Sequence, residues 1–188
     1  MRTIVLLDLV AQPVLTGRAL LVIDMTVGQW QGVSYRSNST LATIRSLMAN
    51  QTEPFFDLII DTHLGLACLP PEPSTICEIV WPRGMNATAL LPSLRFPHVT
   101  PVAKMSYSSF YGATLDATLR AAGVDTVYLT GINTDYCIFA TVLSAWELAY
   151  QVRVVIDGVT SCNGKEGHAE GVEMLEKFFV NENSEKSS

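Results

Sequence analysis

Val127-Tyr128-Leu129-Thr130-Gly131-Ile132-Asn133-Thr134-Asp135-Tyr136-Cys137 is the stretch in which a strand pattern turns into a helix pattern. Val127 to Thr130 reads as a buried strand, Gly131 to Thr134 turns the chain, and Ile138 to Tyr150 carries apolar residues at helical spacing. Cys137 therefore falls in the first turn of a helix, just past the carboxyl end of a strand. Converging backbone N–H groups and the positive end of the helix dipole stabilise a thiolate or an oxyanion at such a place.

Working outward, the same alternation recurs. Ala19-Leu20-Leu21-Val22-Ile23 is a continuous apolar run ending at Asp24, the pattern of a parallel strand buried on both faces. Thr40 to Asn50 carries Leu41, Ile44, Leu47 and Met48 at helical spacing, and Phe55 to Ile60 forms a second strand ending at Asp61. Prolines exclude long regular elements from there to about Pro101. Val99 to Ala103 is a short strand ending at Lys104, and Thr114 caps a helix running to Ala122 with Gly123 as its stop. A strand over 125–130, a helix over 135–149, a strand over Arg153 to Asp157 and a last helix near 166–179 complete the series.

Strand and helix alternate throughout, so the expected fold is α/β: a three-layer, doubly wound, mainly parallel sheet of about six strands. In such sheets the site lies at the carboxyl ends of the strands. Asp24, Asp61, Lys104 and the Gly131–Cys137 turn all fall there. Alone, each has a bland reading as a turn residue, a surface charge or a small buried hydrophobe; together at the ends of one sheet they point to chemistry.

The 188 residues suit one domain at 18–180, with an N-terminal extension at 1–17 and a polar tail at 181–188. The net charge of −6 is spread without a Lys/Arg cluster, which argues against nucleic acid as a partner. No apolar stretch approaches the ~18–20 residues that a membrane-spanning helix needs. Residues 1–10 have an apolar core interrupted by Asp8 and no small-residue cleavage site, so a cytoplasmic location is expected. The sequons at Asn38, Asn50 and Asn86 matter only if the chain is exported by another route. Cys68, Cys77, Cys137 and Cys162 show no C-x-x-C spacing. Cys68 and Cys77 share a Pro-rich loop, where pairing would need oxidising conditions.

The order Asp24, Lys104, Cys137 within Ala19–Asp24, Lys104–Gly112 and Thr130–Cys137 resembles the isochorismatase-like cysteine hydrolases, a superfamily that includes nicotinamidases. The resemblance covers roughly residues 18–180 and implies the isochorismatase-like hydrolase fold. It implies that Cys137 is the nucleophile on an sp² carbon and Asp24 the base that takes its proton and passes it to the leaving group. It further implies that Lys104 biases Cys137 toward thiolate and holds Asp24 ionised. Backbone N–H groups of Asn133 and Cys137 would form the oxyanion hole, with a cis peptide bond between Ile132 and Asn133. Dimers or tetramers of the chain are implied as well.

Two departures refine the expectation. Nicotinamidases carry Asp-x-His and two more histidines for a metal. Asp61-Thr62-His63 matches the opening pair, but Leu69 and Ile76 stand near the places of the others. Asp61 and His63 are thus weak metal candidates, and no cofactor is expected. The frequent glutamine two residues after the aspartate is replaced by Thr26. Trp30, Tyr107, Phe110 and Tyr136 are candidates to line a pocket for a flat, small, soluble substrate. Gly164 to His168 reads as a helix start rather than a ligand site.

The leading expectation is hydrolysis of an amide or carbamoyl C–N bond through Cys137. The alternatives are an isochorismatase, in which Asp24 protonates a vinyl ether and pyruvate is released, and a binding or redox-sensing homologue without turnover.

Overall fold

The computed structural model describes residues 16–49, 54–64 and 89–180. The extension before residue 16, the tail after 180, the sequons Asn50 and Asn86, and the positions of Cys68, Leu69, Ile76 and Cys77 lie outside them. Among the described residues five strands form one sheet: β1 (Gly17–Ile23), β2 (Leu58–Leu64), β3 (Val99–Lys104), β4 (Val124–Ile132) and β5 (Gln151–Thr160). Their order is β3-β2-β1-β4-β5 and every pairing is parallel. The α/β doubly wound expectation holds, with five strands where about six were expected.

The apolar run of β1 explains the centre of this sheet. Ala19 to Ile23 are all fully buried, and alternate residues serve opposite faces. Ala19, Leu21 and Ile23 meet Leu115 and Leu119 of α3 (Leu115–Ala121) and Val142 and Ala145 of α4 (Phe139–Glu147). Leu175 of α5 (Gly164–Leu175) belongs to the same cluster. Leu20 and Val22 meet Ile44 and Met48 of α2 (Ser37–Ala49), together with Leu94. The short α1 (Val27–Trp30) follows Asp24 directly. The side chains of Ala19 to Ile23 thus divide between two cores. Asn38 lies in the first turn of α2 with Thr40, the last residue of its sequon, fully buried.

The strand order reverses between β1 and β4, which leaves a crevice at their carboxyl ends. Two local features tighten it. Gly131 has φ of 113°, and a Cβ there would stand 2.0 Å from the Ile23 carbonyl oxygen. Only glycine lets β4 approach β1 this closely at the residue before Asp24. Gly131→Ala is expected to destabilise the fold by about 2–3 kcal/mol or more, because both backbones are held by sheet pairing. A thermal melt of the variant beside the parent checks this; an unchanged midpoint would contradict the close approach.

The second feature is in β5. Its pairing with β4 jumps from Leu129↔Val154 to Gly131↔Val159, so the intervening residues arch outward. Asp157 on this arch pairs with Arg36 at 2.6 Å. The sequence reading ended this strand at Asp157; it continues to Thr160 because pairing with β4 resumes beyond the bulge.

The expected helix over 135–149 also differs. Thr134–Ile138 is a wider π-type turn, in which the Ile138 N–H donates to the Asn133 carbonyl at 3.0 Å, and α4 starts at Phe139. Apolar spacing does not distinguish the two, because a one-residue widening leaves the later face intact.

Candidate active site

Asp24 stands immediately past β1 with φ of 55°, a left-handed conformation that aspartate tolerates better than most residues. Its N–H donates to the Thr62 carbonyl of β2 at 2.7 Å and its carbonyl accepts from the Thr26 N–H at 2.8 Å. The carboxylate is thereby turned into the crevice. Lys104 ends β3, two strands away. Neighbouring strands are about 4.8 Å apart, so only a long side chain spans β2 to reach Asp24. It does so: Lys104 Nζ lies 2.6 Å from Asp24 Oδ2, and it donates to the Tyr107 carbonyl at 2.9 Å. Both side chains are sealed from solvent, at 0% and 1% exposure.

Cys137 completes the cluster at 3% exposure, within interaction range of both charges. Burial pushes its thiol far above the ordinary range, the Asp24 carboxylate adds to that push, and the Lys104 ammonium opposes it without cancelling it. Lys104 thus pulls Cys137 toward thiolate as expected, while burial and Asp24 pull harder the other way, because desolvation penalises the charged form. Burial works against the Lys104 ammonium, but Asp24 and Cys137 outweigh it and raise its pKa. The peptide bond between Ile132 and Asn133 is cis, as expected.

Among the four aromatic candidates, two meet at the site. Tyr107 and Tyr136 stack at 5.7 Å with an interplanar angle of 20°, and Tyr136 directly precedes Cys137. Phe110, like Tyr107, packs against the first core, which includes Cys137, with its ring 5.7 Å from Tyr150, and Trp30 packs against the second core.

The expected strand end at Asp61 is corrected: β2 runs on to Leu64, so Asp61 and His63 both lie within it. Asp61 Oδ2 and His63 Nδ1 are 2.9 Å apart, a contact that with the carboxylate charge raises the imidazole pKa against the effect of burial. Asp61 Oδ1 is buried without a hydrogen-bond partner. Its free oxygen suits a cation, but among the described residues no group of three His, Cys, Asp or Glu side chains comes together. These two donors do not make up a metal site by themselves.

Several site residues escaped the sequence reading. Thr141 of α4 donates to the Cys137 carbonyl at 2.6 Å and accepts from the Ser109 N–H at 3.0 Å. The Ser109 hydroxyl is 2.8 Å from Thr62 Oγ1, and the Ser108 hydroxyl donates to Ser144 at 2.8 Å. Thr62, Ser109 and Thr141 are all fully buried. They tie the loop after Lys104 to the helix that carries Cys137, so the two groups cannot drift apart independently. The signal was available as Thr141 and Ser144, a polar pair at i, i+3 on an otherwise apolar helix. His168, read as part of a helix start, is 6% exposed and bonded to Thr134.

The pattern that defines the isochorismatase domain matches residues 69–182, more than half of the chain. A nicotinamidase of Acinetobacter baylyi is 30% identical over 187 residues, covering 80% of this chain and 86% of that protein. A ureidoacrylate amidohydrolase of Variovorax paradoxus is 36% identical over 78 residues, which are 42% of this chain and 31% of the relative. The chain thus spans about a third of the length of that relative. The crystal structure of N-carbamoylsarcosine amidase from Thermoplasma acidophilum matches with a TM-score of 0.70 at 23% identity, covering 87% of this chain and 93% of that one. That likeness concerns the fold. Domain pattern and near full-length relative agree with the arrangement of the strands: the chain belongs to the isochorismatase family.

Proposed function

We propose that the protein hydrolyses a small amide or carbamoyl compound, with Cys137 as nucleophile, Asp24 as general base and acid, and Lys104 as their cationic partner. The observation that carries this reading is the solvent-sealed Asp24–Lys104 ion pair beside the Cys137 thiol at the switch point of the sheet. The substrate carbonyl enters the crevice and the thiol attacks its carbon while Asp24 takes the proton. The N–H groups of Asn133 and Cys137 receive the oxyanion. Asp24 then hands the proton to the departing nitrogen, which leaves as ammonia or an amine, and a thioester remains. Water, deprotonated by Asp24, releases the carboxylic acid and returns the proton to sulfur. Lys104 stabilises Asp24 in its carboxylate form between these transfers.

The named relatives favour a C–N bond, since the nicotinamidase and ureidoacrylate amidohydrolase are amide hydrolases by name. A redox-sensing role fits less well. Sensor cysteines are exposed with a lowered pKa, whereas Cys137 is buried and its thiol is pushed up. A screen of primary amides, ureido acids and N-carbamoyl amino acids, scored for ammonia with and without a chelator, tests the proposal. Isochorismate is included and scored for pyruvate. Ammonia release from at least one compound is expected; pyruvate alone would replace this reading with vinyl-ether hydrolysis, and no product at all would reject both.

A further inference from the structure

Three consecutive side chains in front of Cys137 each hold a different atom of one segment. Asn133 Oδ1 accepts from the Cys162 N–H at 2.7 Å. Thr134 Oγ1 donates to the Thr160 carbonyl at 3.0 Å and lies 3.0 Å from His168 Nδ1. The Asp135 carboxylate accepts from the Ser161 hydroxyl and the Asn163 side-chain amide, both at 2.7 Å. The backbone is clasped too: a Cβ on Gly171 would stand 2.6 Å from both the Asp135 nitrogen and the Thr134 carbonyl carbon. Thus α5 rests directly on the turn that carries the thiol, and β5 past its bulge delivers Thr160 and Ser161 to the same place.

None of these bonds involves Asp24 or Lys104. Pinning the turn from the β5 side instead fixes where Sγ stands relative to the ion pair. We propose that the β5–α5 junction, Thr160 to Gly171, is a positioning template for the nucleophile, with His168 as a positioning residue acting through Thr134. The proposal rests on the reading of Cys137 as the nucleophile.

The Thr134 hydroxyl carries a single proton, and the Thr160 carbonyl can only accept. Both contacts of Thr134 are hydrogen bonds together only when its proton goes to Thr160 and His168 Nδ1 donates to it, which corresponds to the Nδ1–H tautomer of the neutral ring. Burial and Arg36 lower the pKa of the imidazole while Asp135 opposes them, and the ring of Tyr35 lies 5.6 Å away. A leucine at 168 keeps the bulk and loses the donor. An asparagine places an amide N–H near Nδ1, and a glutamine carries its amide one carbon farther, near Nε2.

The test compares His168→Leu, His168→Asn and His168→Gln with the parent by two readouts. One is kcat and KM on an amide found in the screen. The other is the pH profile of Cys137 alkylation by iodoacetamide on folded protein, followed on the Cys137 peptide by mass spectrometry. His168→Leu is expected to lose about 10–100-fold in kcat with little change in KM, because a displaced nucleophile weakens the reacting geometry more than binding. Its alkylation profile is expected to move, and His168→Asn to restore both within about threefold. A parent-like kcat and profile in His168→Leu, or an Asn variant no better than Leu, would overturn the template. If the Leu variant does not fold, the remaining pair decides: Asn active with Gln impaired supports the proposal, and equal behaviour rejects it. Alkylation needs no substrate, so absence of amide turnover would count against the proposed reaction alone.

Discussion

Asp24→Asn is expected to lower amide turnover by about 10²–10⁴-fold while making the Cys137 thiol easier to ionise. The two effects have opposite signs for one reason. Asp24 is the group proposed to accept the thiol proton, so removing it removes the base. It is also a negative charge beside a buried sulfur, and it raises the thiol pKa. With that charge gone, Lys104 acts on the sulfur unopposed, and the midpoint of Cys137 alkylation moves to lower pH. Burial remains and keeps part of the upward push. The profile is read on folded protein by near-UV circular dichroism and peptide mass spectrometry. Cys137→Ala, which lacks the sulfur, is expected to show no turnover above background. A lowered alkylation midpoint together with lost hydrolysis would separate a base from a mere orienting group. A midpoint that rises in Asp24→Asn would contradict the electrostatics, and full activity in Cys137→Ala would reject the thiol mechanism.

The largest loss of stability is expected for Lys104→Met, about 3–5 kcal/mol. Its ammonium is the sole strong compensation described for the Asp24 carboxylate, and both side chains are sealed from water. Removing one partner leaves the other charge sealed from solvent without its ion-pair partner. Asp24→Asn combined with Lys104→Met removes both charges and keeps similar volume, so it is expected to recover most of the loss. Urea denaturation of the parent, both single variants and the double variant checks this. A single-variant cost below about 1 kcal/mol would mean that the pair is hydrated in solution. Recovery of stability without recovery of activity would place the pair's value in chemistry rather than in folding.

Much of the fold was legible because it depends on patterns that neighbouring residues express. The run Ala19 to Ile23 has no polar interruption, and a strand buried on both faces needs that. Asp24 and Lys104 mark strand ends because charged residues cannot continue into such a core without partners, whereas Asp61 lies inside β2, which runs on to Leu64. Gly131 was expected to open a turn, but it stays in β4, where its missing side chain permits the close approach to β1. The places where reading failed share a different cause. The bulge after Val154 and the π-type turn at Thr134 depend on pairing with other elements, and periodicity within one segment does not contain that information. Thr62, Ser109 and Thr141 look like ordinary polar residues on three separate segments until folding joins them.

The sequence by itself determined the alternation of elements and singled out Asp24, Lys104 and Cys137, since short-range pattern and residue chemistry decide these. Only the tertiary structure decided which partners those residues meet and in what state. Lys104 neutralises Asp24 because β2 alone separates their strands. The pull of the Lys104 ammonium on the Cys137 thiol is outweighed by burial, which penalises the charged form. His168 faces the turn that carries Cys137 because α5 packs onto it through Gly171. Electrostatics and contact both depend on distance in space, and only folding sets that distance.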